Sequence, residues 1–568
     1  MQDSRIGGRP GRPPRLNRHA FGASPPHRCA RRAGIGAALA YLALLAAGGC
    51  AADRPLHVRL SARVVRPERS VVVLFVDGMG RDVFHRALDA GDLPNIQAHL
   101  LQRGVCVDRA VAALPTITYA NSVTLLTGLL PGHHGIMANR WFDPTIGLAR
   151  DYCTAATYQW VDGDYTAPTI HHLLSGVDAV NLQSAQRRGA SYTIDNWITS
   201  GINWFVGNSD GVDCLVAQNW EEIAEHSNAR RRWPGFVYAY FPGLDHAIHD
   251  HGKGSTQARR SIRNVDRQIG RICEALRQAG MYDRTWLILV SDHGHVDTSR
   301  ARVLDIPAEL RRRSRRRVER VSAVASRRGL LDQVDAICSW SGSRWTSVHI
   351  RRNGEWTDRF FTTGPDDPLL RPWLGGDGDS LLDHPAVGMI AGRASRHSVW
   401  IRTPRGKARV ERESRSDDQY YRYLPDADDA IGLLDDPDLR VFASAGWQSS
   451  RAWLERTAAW TFPDLVPQIV EMFDSARAGD IVFFASAGWN FAPDEPGAAH
   501  GSVLAEEMLV PMVFAGPGLL AGQLIPTARV CDLMPTVLDM LQAECKPSVL
   551  DGRSLYQQLF SARQFSLK

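Results

Sequence analysis

Four continuous apolar runs rich in β-branched residues punctuate the chain: Ser70–Val76, Gly235–Phe241, Trp286–Val290 and Ile481–Phe484. An unbroken apolar run of this length, ended by a polar residue or glycine, predicts a strand buried on both faces of a parallel sheet. Between the runs, apolar residues recur with helical period, as over Ala258 to Ala279 and Asp464 to Ala476. Strands alternating with helices predict an α/β fold with a mostly parallel central sheet, and in such sheets ligands bind beyond the carboxyl ends of the strands. Three of the four runs carry an acid at or just past that end: Asp77, Asp245 and Asp292.

From His295 to about Asp480 the pattern breaks into shorter alternating pieces such as Thr346 to Ile350, with Gly/Asp-rich turns such as 375–379. This predicts a smaller inserted subdomain that caps the site. The expected organisation is a first core segment at 70–298, an insertion at 299–480 and a second core segment at 481–568. The string Phe-Ala-Ser-Ala-Gly-Trp begins at Phe442 and again at Phe484, but its flanks differ and no repeat architecture follows.

The first fifty residues read as an address. A Pro/Arg-rich start leads through Arg31-Arg32 to an apolar stretch at about Ile35 to Ala47, followed by Gly48-Gly49-Cys50. That stretch is short for a bilayer span and is similar to a bacterial lipoprotein signal, with Cys50 as the residue to be acylated. A twin-arginine signal and an uncleaved anchor are the alternatives, and 51–69 is the expected linker. Export would place the body in the periplasm or cell envelope, where the remaining cysteines are free to pair, in an order that spacing does not reveal. Without a Cys-x-x-Cys, a thiolate metal site is not expected.

The chain holds 66 basic and 61 acidic residues, and part of the basic excess lies in that leader. A near-neutral body argues against a nucleic-acid polymer as partner. The run from Arg311 to Arg317 is the exception, and reads as a solvated face.

The candidate chemistry collects at the strand ends. Asp77, Asp245-x-x-x-His249, Asp292-His293 and His500 offer carboxylate oxygen and imidazole nitrogen, the donors Zn²⁺ takes. Two such ions about 4 Å apart clamp the attacking and leaving oxygens of a phosphoryl transfer. Thr118 stands where a helix begins, beside N–H groups that favour a phosphate.

Asp77-Gly78, Pro115-Thr116-x-Thr118-x-x-Asn121, Pro131-Gly132-x-His134-Gly135-Ile136-x-x-Asn139, Asp245-x-x-x-His249, Ser291-Asp292-His293-Gly294 and His500-Gly501 occur in that order. The set resembles the nucleotide pyrophosphatase/phosphodiesterase branch of the alkaline phosphatase superfamily, in a bacterial exported form, from about Val71 to Leu559. The resemblance implies an alkaline-phosphatase-like α/β/α sandwich. It further implies two Zn²⁺ ions, one on Asp245, His249 and His500, the other on Asp77, Asp292, His293 and Thr118. Thr118 would attack phosphorus as an alkoxide and form a phospho-threonine intermediate, with Asn139 and the Thr118 N–H holding a phosphoryl oxygen. The implied substrate is a small phosphorylated molecule.

The chain departs from the pattern in two places. Pro242-Gly243-Leu244 precedes Asp245 where vertebrate-type enzymes carry Glu-Pro, and His246 and His251 compete with His249 for the ligand role. Gln186-Arg187-Arg188 lacks the lysine of the Lys-x-Arg that phosphate monoesterases use, so Arg188 is a weak substrate-binding candidate and a diester is favoured. A monoesterase and a phosphonate hydrolase are the alternatives, with an inactive binding protein a remote one. No Cys/Ser-x-Pro-x-Arg supports a sulfatase.

Overall fold

The computed structural model describes residues 69–560, apart from positions 175, 206, 231, 328, 358–360, 376–378, 416–417, 493–496 and 544–548. The chain divides into Met1–His57 and Val58–Lys568. The leader, Cys50 and all but the last residue of the expected linker lie outside the described residues.

The first three apolar runs are neighbours in an eight-stranded sheet. Its order is Leu524–Arg529, Gly104–Val111, Leu509–Ala515, Thr285–Val290, Ser70–Val76, Phe236–Phe241, Ala179–Leu182 and Tyr192–Ile194. Every pairing is parallel except the two made by Leu509–Ala515. Side chains of a strand alternate between faces. Val72, Leu74 and Val76 therefore pack under helices Arg81–Asp89, Ser209–Arg230 and Thr256–Gln278, while Val71, Val73 and Phe75 meet Thr118–Thr127 and Leu533–Met540 on the other side. The result is the expected α/β/α sandwich.

The fourth run behaves differently. Ile481–Ala485 is antiparallel to Trp345–Ile350 and Val387–Ser395 in the middle of a second, nine-stranded sheet, rather than a strand of the parallel one. That sheet begins at Val318–Arg320 and ends with Gln448–Ser449, so the boundary expected at 480 cuts through it. An apolar run reports burial on both faces, and a central antiparallel strand is buried as fully as a parallel one. The run that lacked an acid at its end is the one outside the main sheet.

One face of the second sheet packs through Met389, Ala391 and Val399 against Leu114, Ile117 and Ala120, the segment that carries Thr118. The loop leading to Asn139 is fixed from the same side. His134 Nε2 lies 3.0 Å from Thr124 Oγ1 and its Nδ1 accepts from the Ile136 N–H. Neighbouring His133 is gripped by Glu471, Asp474 and Asp551. Burial alone would lower its pKa, but these carboxylates outweigh burial and push it up to about 12. The two copies of Phe-Ala-Ser-Ala-Gly-Trp share no fold: Phe442 lies in helix Pro437–Ser444 and Phe484 in a strand.

The arginine run ends helix Ile306–Ser314 and is mostly exposed, with Arg312 and Arg313 paired to Glu309 and Asp379. No disulfide joins any of the six described cysteines, Cys106, Cys153, Cys214, Cys273, Cys338 and Cys531, to another. Cys545 lies outside the described residues. No helix among the described residues is long and apolar enough to cross a membrane.

Candidate metal centre

Three adjacent parallel strands deliver three carboxylates to one place. Asp77 directly follows Ser70–Val76, Asp292 stands two residues past Thr285–Val290, and Asp245 lies in the first turn of helix Gly243–His251, just beyond Phe236–Phe241. Gly78 turns the chain with φ +69°, a conformation that favours glycine. Its N–H donates to Asp292 Oδ1 (3.1 Å), and a Cβ there would sit 2.5 Å from His295 Cε1 and 2.8 Å from Asp245 Oδ1.

Two donor groups result. Ligand atoms of Asp77, Asp292 and His293 lie within 4.8 Å of one another, and so do those of Asp245, His293, His295 and His500. His293 Nε2 is 3.5 Å from Asp77 Oδ1 and 3.2 Å from both Asp292 Oδ2 and Thr118 Oγ1. His249 Nε2 is 3.5 Å from Asp245 Oδ1, and the His249 and His500 rings are 5.0 Å apart. The helix decides among the three histidines near Asp245. A spacing of four residues puts His249 on the Asp245 face and partly buried, while His246, 3.7 Å from Asp245 Oδ2, and His251 are exposed.

Backbone carbonyls orient these rings. His249 Nδ1 lies 2.9 Å from the Ala498 carbonyl and His500 Nδ1 lies 2.7 Å from that of Thr116. A nitrogen facing a carbonyl must carry the proton, which leaves Nε2 with its lone pair toward the acids. Thr116 also donates through its hydroxyl to the Ser502 carbonyl and accepts from the Gly501 N–H, so it clamps the His500 segment two residues from Thr118.

Thr118 opens helix Thr118–Thr127 after Ile117 in extended conformation. Asn121 braces the turn before it, accepting from the Ala113 N–H and donating to the carbonyls of Ala113, Pro115 and Ile117. Asn139 reaches the same helix start, where its Oδ1 accepts from the Tyr119 N–H (3.2 Å). That bond turns its amide nitrogen to the other side as a donor.

The donor set fits a cation. Asp77 Oδ1, Asp245 Oδ1 and Asp292 Oδ2 are buried without a hydrogen-bond partner among the described residues. Burial, then the charges of Asp292 and Asp245, raise the Asp77 carboxyl well above its usual range; burial pushes Asp292 up to about 7. At Asp245 burial acts in the same direction, but the imidazoles of His249 and His295 outweigh it and hold the group low. Burial also holds His293, His295 and His500 neutral, with lone pairs available.

A pH signature follows. Without a cation, Asp292 binds its proton more tightly in the folded chain (about 7) than in the unfolded one (roughly 3.9), so its contribution is fully present below pH 4 and lost as pH rises toward 7. Metal competes with those protons and binds better as pH rises. The Tm gap between zinc-loaded and chelator-treated protein is therefore expected to be small at pH 5 and to widen up to pH 8. A gap independent of pH would contradict this.

The remaining candidate is placed elsewhere in its contacts. Arg188 directs its guanidinium to the Tyr165 and Thr166 carbonyls and lies over the Tyr165 ring, and Arg187 pairs with Asp195. His295 was not among the residues expected from sequence. It lies two positions past His293, where an extra histidine carries no spacing signal.

Comparison with known proteins agrees with this geometry. The family model described as "Type I phosphodiesterase / nucleotide pyrophosphatase" matches residues 71–335. An uncharacterized pyrophosphatase/phosphodiesterase of Schizosaccharomyces pombe is 26% identical over 246 residues, 42% of this chain and 47% of that protein. Ectonucleotide pyrophosphatase/phosphodiesterase family member 1 of Mus musculus is 26% identical over 183 residues, 32% of this chain and 19% of that protein. The chain thus spans less than half the length of these relatives. Among solved structures, murine ectonucleotide pyrophosphatase/phosphodiesterase 5, in an inactive threonine-to-alanine form in complex with AMP, gives a TM-score of 0.54 at 16% identity, covering 86% of this chain and 99% of that one.

Proposed function

We propose that this chain is a zinc-dependent phosphodiesterase or pyrophosphatase of the nucleotide pyrophosphatase/phosphodiesterase branch of the alkaline phosphatase superfamily, with Thr118 as nucleophile; the match of residues 71–335 to the type I phosphodiesterase/nucleotide pyrophosphatase family model supports this reading. The observation that carries this reading is a pair of buried donor groups, with three carboxylate oxygens lacking a hydrogen-bond partner among the described residues, that share His293, whose Nε2 lies 3.2 Å from the hydroxyl of a residue that opens a helix. The inactive threonine-to-alanine form of the murine relative supports it.

One group would be held by Asp77, Asp292, His293 and Thr118, the other by Asp245, His249 and His500. Zn²⁺ bound there would lower the pKa of the Thr118 hydroxyl and offset charge on the phosphoryl oxygens. The chain's own residues do the rest. The Thr118 N–H at the start of helix Thr118–Thr127 draws the phosphate to the nucleophile. The Asn139 amide nitrogen donates to a non-bridging oxygen as charge builds. Attack by Thr118 Oγ1 on phosphorus forms the Thr118 phosphoester and breaks the bond to the leaving alkoxide or phosphate; water then cleaves the ester and restores the hydroxyl.

Two features favour a small nucleotide diester or pyrophosphate. Tyr119, next to the nucleophile, stacks on Tyr152 with centroids 5.0 Å apart, so an aromatic residue is held one position from the reacting hydroxyl. Arg187 and Arg188 are engaged by Asp195 and backbone carbonyls, so neither is held ready for the extra charge of a monoester. The kcat/KM for bis-p-nitrophenyl phosphate is expected to exceed that for p-nitrophenyl phosphate by roughly 10²-fold, about 2.7 kcal/mol. Preference for the monoester would move the reading to an alkaline-phosphatase type.

A further inference from the structure

We propose that His295 is a fourth protein ligand of the cation held by Asp245, His249 and His500. The inference rests on the zinc reading above and adds a residue that the motif set does not contain.

His295 has the same arrangement as the other two imidazoles. Its Nδ1 lies 3.2 Å from the Gly78 carbonyl and therefore carries the proton. Its Nε2 is buried, has no hydrogen-bond partner among the described residues, and lies 3.0 Å from Asp245 Oδ1, itself without a partner. At that distance the pair needs a positive charge: a proton on Nε2 in the metal-free chain, or a bound cation in its place. Ligands 2.0–2.1 Å from zinc at a tetrahedral angle stand about 3.3 Å apart. The separations from Asp245 Oδ1, 3.0 Å to His295 and 3.5 Å to His249, bracket that value.

The rings give independent support. The centroids of His249, His295 and His500 are separated by 5.0, 5.2 and 5.0 Å, with interplanar angles of 84°, 79° and 57°. The three imidazoles are nearly equidistant and tilted to one another, whereas His293 stacks flat on His500 at 3.6 Å and 12°. Gly78 packs against this pair: a Cβ there would collide with both His295 and Asp245. Asp245, His295 and His500 also belong, with His293, to a set of donors whose ligand atoms lie within 4.8 Å of one another.

The test uses the full-length chain loaded with Co²⁺, in which each ligated histidine contributes one paramagnetically shifted imidazole N–H resonance. Four such resonances are expected, three from the Asp245 group and one from His293. His295→Gln is expected to show three, to change the Co²⁺ visible absorption, and to speed Zn²⁺ release to a chelator by more than the ~10–100-fold change that loss of an outer partner causes. Two bound ions with only three resonances in the unaltered chain would overturn the role of His295 and leave the zinc reading standing. Failure to bind any ion would overturn both. Should His295→Gln fail to fold, the count in the unaltered chain decides.

Discussion

Thr118→Ala is expected to lower kcat for a phosphodiester by at least ~10⁴-fold, the scale on which loss of a nucleophile acts, while bound zinc stays near two ions. The substitution removes one hydroxyl at a helix start. It leaves Asn121, which braces the turn, and Thr116, which clamps the His500 segment, untouched. The metal donors Asp77, Asp292 and His293 also stay in place, so the ions have no reason to leave. Activity by chromogenic assay and metal by elemental analysis separate the two effects. A loss of zinc parallel to the loss of activity would recast Thr118 as a ligand whose hydroxyl does not attack, and retained activity would remove it from the chemistry.

Asp292→Asn is expected to act in opposite directions on activity and on the stability of the metal-free chain. Asp292 is fully buried, and its Oδ2 has no partner among the described residues. An asparagine keeps the oxygen that accepts the Gly78 N–H but loses the charge that would hold the cation beside Thr118. kcat is therefore expected to fall by roughly 10³-fold or more, the larger end of what removing one electrostatic stabiliser costs. The metal-free protein, relieved of a carboxylate that burial pushes up to about 7, is expected to be more stable at pH 8 by up to roughly 4 kcal/mol, from about three pKa units at 1.36 kcal/mol each. Thermal melts of the chelator-treated proteins at pH 5 and pH 8 measure this. An unaltered pH dependence would show that Asp292 is not the strained group.

The parts of this site legible in the sequence are those where chemistry coincides with strand periodicity. Asp77, Asp245 and Asp292 were visible because each closes an apolar run, and the runs proved to be adjacent strands. His249 follows from the helix that Asp245 opens. His500 stands on no such run: it is brought in by Thr116 and by the Gly342 turn, where a Cβ would meet the His500 carbonyl at 2.5 Å, and only the ordered motif set marked it. The placement of Ile481–Ala485 was not legible, because an apolar run states that a strand is buried and not which sheet receives it. His295 was missed for a related reason. Its ligand-like arrangement depends on a carbonyl that reaches it from Gly78, more than two hundred positions earlier, and no local pattern encodes that contact.

The central claim is that the Thr118 hydroxyl attacks phosphorus. Acid-quenching the zinc-loaded enzyme within its first turnovers of bis-p-nitrophenyl phosphate, and mapping the adduct by peptide mass spectrometry, tests it most directly. The account predicts a nitrophenyl phosphate ester on Thr118 and on no other residue. Full activity with an adduct elsewhere, or with single-turnover inversion at a chiral phosphorothioate diester and no adduct at all, would contradict it.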